Sequence, residues 1–251
     1  MKWFFIDTGE STGNFNMDLD FQLAQSCSDD KVYFRLYRWK PFCISLGAHQ
    51  KFEDINLEKA ANDGIDVVKR PTGGRAILHA EEITYSVILP FSKIQSAREV
   101  YQKISLSLIE GLKLYHPVFS NLELENLQPN FSKLLNEPSG ILCFGSTAKN
   151  EVKFNGRKLI GSAQRKLNNA ILQHGSILCG KYHRKLVDYI NVDDKTKSII
   201  ENEIIQKTIE IETIIQKHVD YQKLSECLID GFKKVWNIEF EKSEINFPVL
   251  K

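Results

Sequence analysis

The stretch from Val67 to His79, Val-Val-Lys-Arg-Pro-Thr-Gly-Gly-Arg-Ala-Ile-Leu-His, constrains the chain most. Val67 and Val68 lead in as the end of a strand. Pro71 has no N–H to give to a sheet ladder, so the strand stops there. Gly73 and Gly74 permit a backbone with φ > 0 and leave no Cβ in the way. Ala76, Ile77 and Leu78 lead out as a second strand. Lys69, Arg70 and Arg75 flank the glycine pair. Bare backbone N–H groups ringed by cations suit a carboxylate, a phosphate or an acyl oxyanion. The same pattern also fits a glycine-rich hairpin turn with solvated charges, and this stretch by itself does not separate the two.

Composition narrows the classes. The chain has 251 residues, 42% apolar and 26% charged, with a net charge of +1. That length predicts a single catalytic-size domain over 1–251, with a core in 1–180 and a small helical part in 181–251. A net charge this small supplies no global field for nucleic acid or an anionic membrane, so any anion site must be local. No uncharged apolar run approaches a membrane span, and the N-terminus lacks the pattern of an export signal. Cys27, Cys43, Cys143, Cys179 and Cys227 are odd in number and have no CxxC spacing. Reduced thiols in a cytoplasmic protein fit them better than a disulfide framework or a zinc site.

Periodicity then places the elements. Trp3–Ile6 reads as a strand. A helix capped by Asn14 or Asn16 runs to about Cys27 with Met17, Phe21 and Ala24 on one face. Strands follow at 32–37 and 42–47, then a short helix from Asn56 to Asn62 closed by Gly64. After the central loop comes Ile83–Leu89, rich in β-branched residues. Ile94–Tyr115 is the clearest helix, with Val100, Ile104, Leu108 and Leu112 at helical spacing. Residues 116–138 read as irregular. Ile141–Phe144 resumes an apolar run, and Asn155-Gly156 joins strands at 151–154 and 157–167 by a hairpin turn. A third strand spans 170–178. Helices are expected near 182–190, 197–206 and 221–236, with a small strand near 238–240. Strands early and helices late predict an α+β fold.

A second cluster carries chemistry. Cys143 ends an apolar run inside the small-residue turn Phe144-Gly145-Ser146-Thr147-Ala148, which suits a nucleophile if a cation or dipole favours its thiolate. Lys158, just past the Asn155-Gly156 turn, is positioned by the hairpin to supply that cation. Gly161-Ser162-Ala163 is bare for a strand and admits a ligand or another backbone closely. A cysteine after Ile-Leu is also an ordinary core residue, and a lysine after such a turn is ordinarily solvated and contributes little to packing. Cys43 and Cys179 read as core strand residues. His79 and His174 each read equally as satisfied structural histidines.

Taken together, these segments resemble the lipoate–protein ligase and octanoyltransferase family, which shares the biotin/lipoate protein ligase-like fold. The likeness rests on Phe5–Gly9 with Asn16–Asp18, Ile44–Gly47, Gly64–His79, Glu82–Val87, Asn155–Gln164 and Gln173–Leu178, all in the family's order. It implies a mixed β-sheet flanked by helices. Cys143-Phe144-Gly145-Ser146 followed by an Asn-Gly hairpin is similar to the cysteine-dependent octanoyltransferases that load the glycine-cleavage H protein. Two departures stand out: Ser146-Thr147-Ala148 replaces a Ser-Pro-Ser run, and Lys69 replaces a common arginine.

The resemblance implies that Cys143 accepts the acyl group as a thioester and that Lys158 holds its carbonyl. Arg70, Thr72, Gly73, Gly74, Arg75, His79, Gly161, Ser162 and Ala163 are the implied substrate-binding residues. The donor would be octanoyl-acyl carrier protein, and the acceptor a lysine of the glycine-cleavage H protein or an E2 lipoyl domain. This chemistry needs no cofactor. The main alternative is an ATP-dependent lipoate–protein ligase, which would use ATP and Mg to form lipoyl-AMP, with Arg70, Arg75 and Lys158 on the α-phosphate. An amidotransferase that passes octanoyl or lipoyl between protein domains, and a non-catalytic lipoyl-domain-binding module, are the other readings.

Overall fold

In the computed structural model, residues 1–125 and 151–241 are described. The strands and helices are β1 (Lys2–Ser11), α1 (Gly13–Gln25), β2 (Lys31–Trp39), β3 (Cys43–Leu46), α2 (Leu57–Asn62), β4 (Asp66–Lys69), β5 (Ile77–His79), β6 (Glu82–Pro90), α3 (Ala97–Tyr115) and β7 (Leu122–Leu124). After the undescribed stretch come β8 (Val152–Phe154), β9 (Arg157–Leu167), β10 (Ala170–Leu178), α4 (Asp194–Lys207), α5 (Ile211–Ile215), α6 (Tyr221–Trp236) and β11 (Phe240–Glu241). A 3-10 turn over Tyr182–Tyr189 bridges β10 and α4.

The strands form two sheets. The larger runs in the order β11-β1-β2-β6-β10-β9-β8-β7, and the smaller in the order β4-β3-β5. Both are mixed. In the large sheet β1 pairs in parallel with β2 and β11, while β2 with β6, β6 with β10 and β10 with β9 are antiparallel. In the small sheet β3 is parallel to β4 and antiparallel to β5. This is the α+β architecture expected from strands early and helices late.

Each face of the large sheet is covered because its strands are apolar on both sides. On one face Phe34, Leu36, Tyr85 and Val87 pack against Ile104, Leu108 and Leu112 of α3 and Leu228 and Phe232 of α6. Phe34 and Phe232 stack with ring centres 3.9 Å apart. Truncating a side chain buried this way costs about 2–5 kcal/mol. On the other face, Leu19 and Leu23 of α1 pack with Ile6, Tyr33, Ile88 and Leu172. The small sheet has its own core, in which Ile44, Leu46 and Leu78 meet Leu186, Ile200 and Ile204.

Several local expectations need correction. Thr12, rather than Asn14 or Asn16, caps α1, accepting from the Phe15 N–H. Phe21 is exposed, while Asn16 and Asp20 are buried on the sheet-facing side of the same helix. Residues 117–121 form a 3-10 turn and 122–124 a strand, where an irregular stretch was expected. The predicted run and turn around Cys143 lie outside the described residues. Other expectations hold: Asn155 and Gly156 both have positive φ in a two-residue hairpin turn, and Cys43 and Cys179 are buried. No helix among the described residues is long and apolar enough to cross a membrane.

Candidate active site

A narrow pocket lies where the two sheets face each other. β3 and β5 contribute Ser45, Ile77 and His79, and the segment after β4 contributes Arg70. Across from them stand Tyr37 and Trp39 of β2, Thr84 of β6, Gly161–Ala163 of β9 and His174–Ser176 of β10, with Met17 of α1. The space it encloses is narrow and lined mostly by apolar surface. The pairing of Ser162 with Gly175 and of Ala163 with His174 sets the β9–β10 wall. That wall is tight: a Cβ on Gly175 would fall 2.3 Å from the Gly161 carbonyl oxygen.

The glycine loop, residues 70–75, borders this pocket and is held from several sides. The five N–H donors of Arg70 all have protein acceptors: Nη1 donates to the carbonyl and hydroxyl oxygens of Ser45, Nε and Nη2 to Gly73 O, and Nη2 to Arg75 O. Arg165 donates to Pro71 O at 2.6 Å, and the Ala48 N–H donates to Thr72 O. Of the two loop glycines only Gly74 has positive φ, at 92°. Gly74 also packs closely on Gly47: a Cβ on Gly47 would sit 2.0 Å from Gly74 O.

Two histidine-centred chains of hydrogen bonds reach the loop. In the first, Glu82 Oε1 lies 2.8 Å from His79 Nδ1, and His79 Nε2 lies 2.7 Å from Ser45 Oγ, which accepts from Arg70. With the ring neutral and the carboxylate accepting, Nδ1 is the donor to Glu82 and Nε2 accepts from the serine. Thr84 also donates to Glu82, Trp39 Nε1 donates to Thr84, and the Trp39 ring stacks on His79 at 4.2 Å. In the second chain, Asp20 Oδ2 lies 3.3 Å from His174 Nδ1, and His174 Nε2 lies 2.6 Å from Thr72 Oγ1. Asp20 and Arg35 form a wholly buried ion pair at 2.8 Å, and Asp20 also accepts from Tyr37 and Ser86. Burial works to raise the Asp20 pKa, but Arg35 and the hydrogen bonds from His174 and Ser86 outweigh it and hold the carboxyl below its usual value. Burial pushes His174 below the usual histidine range despite Asp20.

Lys158 stands near the start of β9, wholly buried, with its Nζ 2.8 Å from Glu151 Oε1. This corrects the expectation of a solvated lysine that contributes little to packing. The backbone on either side is tied in: the Ile209 N–H donates to Lys158 O, and Lys158 bridges to Thr208. Of the residues singled out in the sequence, Arg70, His79, Gly161, Ser162 and Ala163 line the pocket. Thr72, Gly73, Gly74 and the buried Arg75 belong to the bordering loop, and Lys158 lies three residues before Gly161 on the same strand. Cys143 lies outside the described residues. Trp39, Ser45, Thr84 and Asp20 were missed. None of these four carried a local sequence signal.

Solved structures that share this fold include lipoate–protein ligases. A bipartite lipoate protein ligase from Thermoplasma acidophilum, solved in a study of its lipoylation system and E2 lipoyl domain, superposes with a TM-score of 0.75 at 20% identity, over 98% of this chain and 88% of that one. A lipoate-protein ligase A bound with ATP gives 0.74 at 19% identity, over 98% and 90%. These define the fold class. The chain belongs to the lipoyl protein ligase A/B catalytic domain family, which matches it over residues 12–233. Within that family it is 33% identical over 250 residues to the octanoyltransferase LipM of Staphylococcus aureus, covering 97% of this chain and 90% of that protein. The octanoyltransferase LipM of Bacillus subtilis is 32% identical over 256 residues, with 97% and 90% coverage.

Proposed function

We propose that the chain is an octanoyltransferase of protein lipoylation, an acyltransferase that delivers its group to a lipoyl-accepting protein. The carrying observation is the likeness to octanoyltransferases at 32–33% identity over 97% of the chain. The pocket is consistent with it. Met17, Tyr37, Trp39 and Ile77 offer an acyl chain an apolar lining, and the glycine loop borders the same space.

In this reading the donor is octanoyl-acyl carrier protein. The Cys143 thiolate attacks the donor's thioester carbonyl, a C–S bond to the phosphopantetheine sulfur breaks, and that sulfur leaves as a thiolate. The exchange of one thioester for another is nearly balanced, so no nucleotide is consumed. The neutral amine of a lysine on the glycine-cleavage H protein or an E2 lipoyl domain then attacks the acyl-enzyme. It loses a proton as the amide forms and Cys143 departs. Lys158 and N–H groups of the Gly73-Gly74 loop stabilise the oxyanion in each step.

An ATP-dependent ligase is the second reading, favoured by the structural neighbours. It asks Arg70 to hold a phosphate. The five donors of Arg70 are directed at Ser45, Gly73 and Arg75, and would have to be withdrawn from the loop to do so. A donor comparison decides between them. With a lipoyl-domain acceptor, octanoyl-acyl carrier protein alone should support transfer, and octanoate with ATP and Mg should add nothing. Modification only with octanoate and ATP would establish the ligase. Modification only with an octanoylated H protein as donor would establish an amidotransferase.

A further inference from the structure

We infer that Asp20 and His174 are positioning residues for the acyl-transfer site, acting through the Thr72 hydroxyl to fix the glycine loop in its working geometry. The inference rests on the site proposed above and concerns two buried residues, one of which, His174, also lines the pocket.

The direction of each hydrogen bond follows from chemistry. Asp20 is held ionised beside Arg35, so it only accepts, and His174 Nδ1 is the donor to it. In a neutral imidazole the other nitrogen must then accept, so Thr72 Oγ1 donates to His174 Nε2 at 2.6 Å. The chain therefore runs one way, from the loop hydroxyl through the imidazole to the carboxylate. It spans 154 positions of sequence between Asp20 and His174 and 102 between Thr72 and His174. Thr72, Asp20 and His174 are all buried, so water does not replace a lost partner freely.

The rest of the loop's support leaves this link a distinct job. Arg70 holds the carbonyls of Gly73 and Arg75, Arg165 holds that of Pro71, and Ala48 holds that of Thr72. Apart from the bond from Arg70 to the Ser45 hydroxyl on β3, those contacts grip carbonyl oxygens. The Thr72 hydroxyl is a side-chain tether between the loop and β10, the strand that also supplies Gly175 and Ser176 to the pocket wall. It sets the loop against that wall, and so sets where the Gly73 and Gly74 N–H groups lie.

The test compares Thr72→Val, which keeps the shape and removes the donor, with Thr72→Ser, which keeps the donor. His174→Gln and the Thr72→Val/His174→Gln pair complete a double-mutant cycle. Two readouts are taken on the full chain: steady-state transfer from octanoyl-acyl carrier protein, and hydrogen exchange of the amides in the peptide covering 70–76. Thr72→Val should lower kcat by about tenfold or more, the scale of one buried partner left unsatisfied, with KM for the carrier within about threefold. Its loop amides should exchange about tenfold faster, Thr72→Ser should restore both, and the double variant should be no worse than the poorer single one. Wild-type loop protection and kcat in Thr72→Val would overturn the inference, as would additive losses in the double variant or a loss confined to KM. If His174→Gln does not fold, the Thr72 pair still decides. Exchange is independent of the reaction catalysed. A wild-type protein with no transfer activity but with the predicted exchange pattern would therefore refute the proposed function while leaving the tether in place.

Discussion

The Lys158 ammonium and the Glu151 carboxylate form an ion pair at 2.8 Å inside the core, with side chains 1% and 3% exposed. A pair like this is costly to break from one side, because the charge left behind has no water. Lys158→Ala should therefore lose about 3–5 kcal/mol of stability as well as activity. Lys158→Ala/Glu151→Ala removes both charges and should recover part of that stability without recovering transfer. Denaturant unfolding beside an activity assay separates the two effects. A doubly substituted protein that regains stability and also transfers at the wild-type rate would remove Lys158 from the chemistry.

The glycine junction makes a contrasting pair of predictions. A Cβ on Gly47 would collide with Gly74 O at 2.0 Å, and neither backbone has room to move cheaply. Gly47→Ala should lower both thermal stability and transfer. A Cβ on Gly73 meets nothing within 4 Å, and Gly73 does not need positive φ. Gly73→Val should fold with a midpoint near wild type and lose most of its turnover, because its side chain intrudes at the face of the loop assigned to the acyl carbonyl. Loss of folding in Gly73→Val, with activity retained in Gly47→Ala, would reverse the roles given to them.

Much of this fold was legible and the polar interior was not. The apolar runs of β6 and β10, the spacing of Val100, Ile104, Leu108 and Leu112 on α3, and the Asn155-Gly156 turn all announce themselves locally. The rule that sends apolar residues inward assigned Phe21 to the buried face of α1. Asn16 and Asp20 occupy that face instead, because Arg35 arrives from β2 and takes up both of their side chains. No local pattern reports a partner 15 or 19 positions away. Lys158 was misread for the same reason: its burial depends on Glu151 across a hairpin. In the site, the glycine loop was visible as a stretch of unusual residues. The hydroxyls that hold it, Ser45 and Thr72, have no signature apart from their histidine partners.

Acid should destabilise the protein before its carboxylates titrate. Burial lowers the pKa of His183 to about 4, and of His174 in the same direction. For both, the folded-state pKa lies below the unfolded value near 6.5, so the unfolded chain binds the proton first as pH falls. Their contribution is complete above about pH 6.5 and is lost as the pH falls through the folded-state values. For His183 alone this amounts to roughly 3 kcal/mol between about pH 6.5 and 4. Asp20, held below its usual pKa, adds a further loss only at lower pH. Thermal midpoints measured from pH 8 to 4 should be flat at the alkaline end and fall below about 6.5. A midpoint unchanged down to pH 5 would contradict the neutral, buried state of these histidines.

The central claim is a covalent acyl-enzyme on Cys143, and intact-mass spectrometry tests it most directly. The full chain is incubated with octanoyl-acyl carrier protein, without acceptor or nucleotide. The account predicts a gain of one octanoyl group, its removal by hydroxylamine, its assignment by peptide mapping to Cys143 rather than to the buried Cys43 or Cys179, and no label on Cys143→Ala. An unlabelled wild-type protein that nonetheless modifies the acceptor lysine when given octanoate and ATP, with Cys143→Ala equally active, would contradict it.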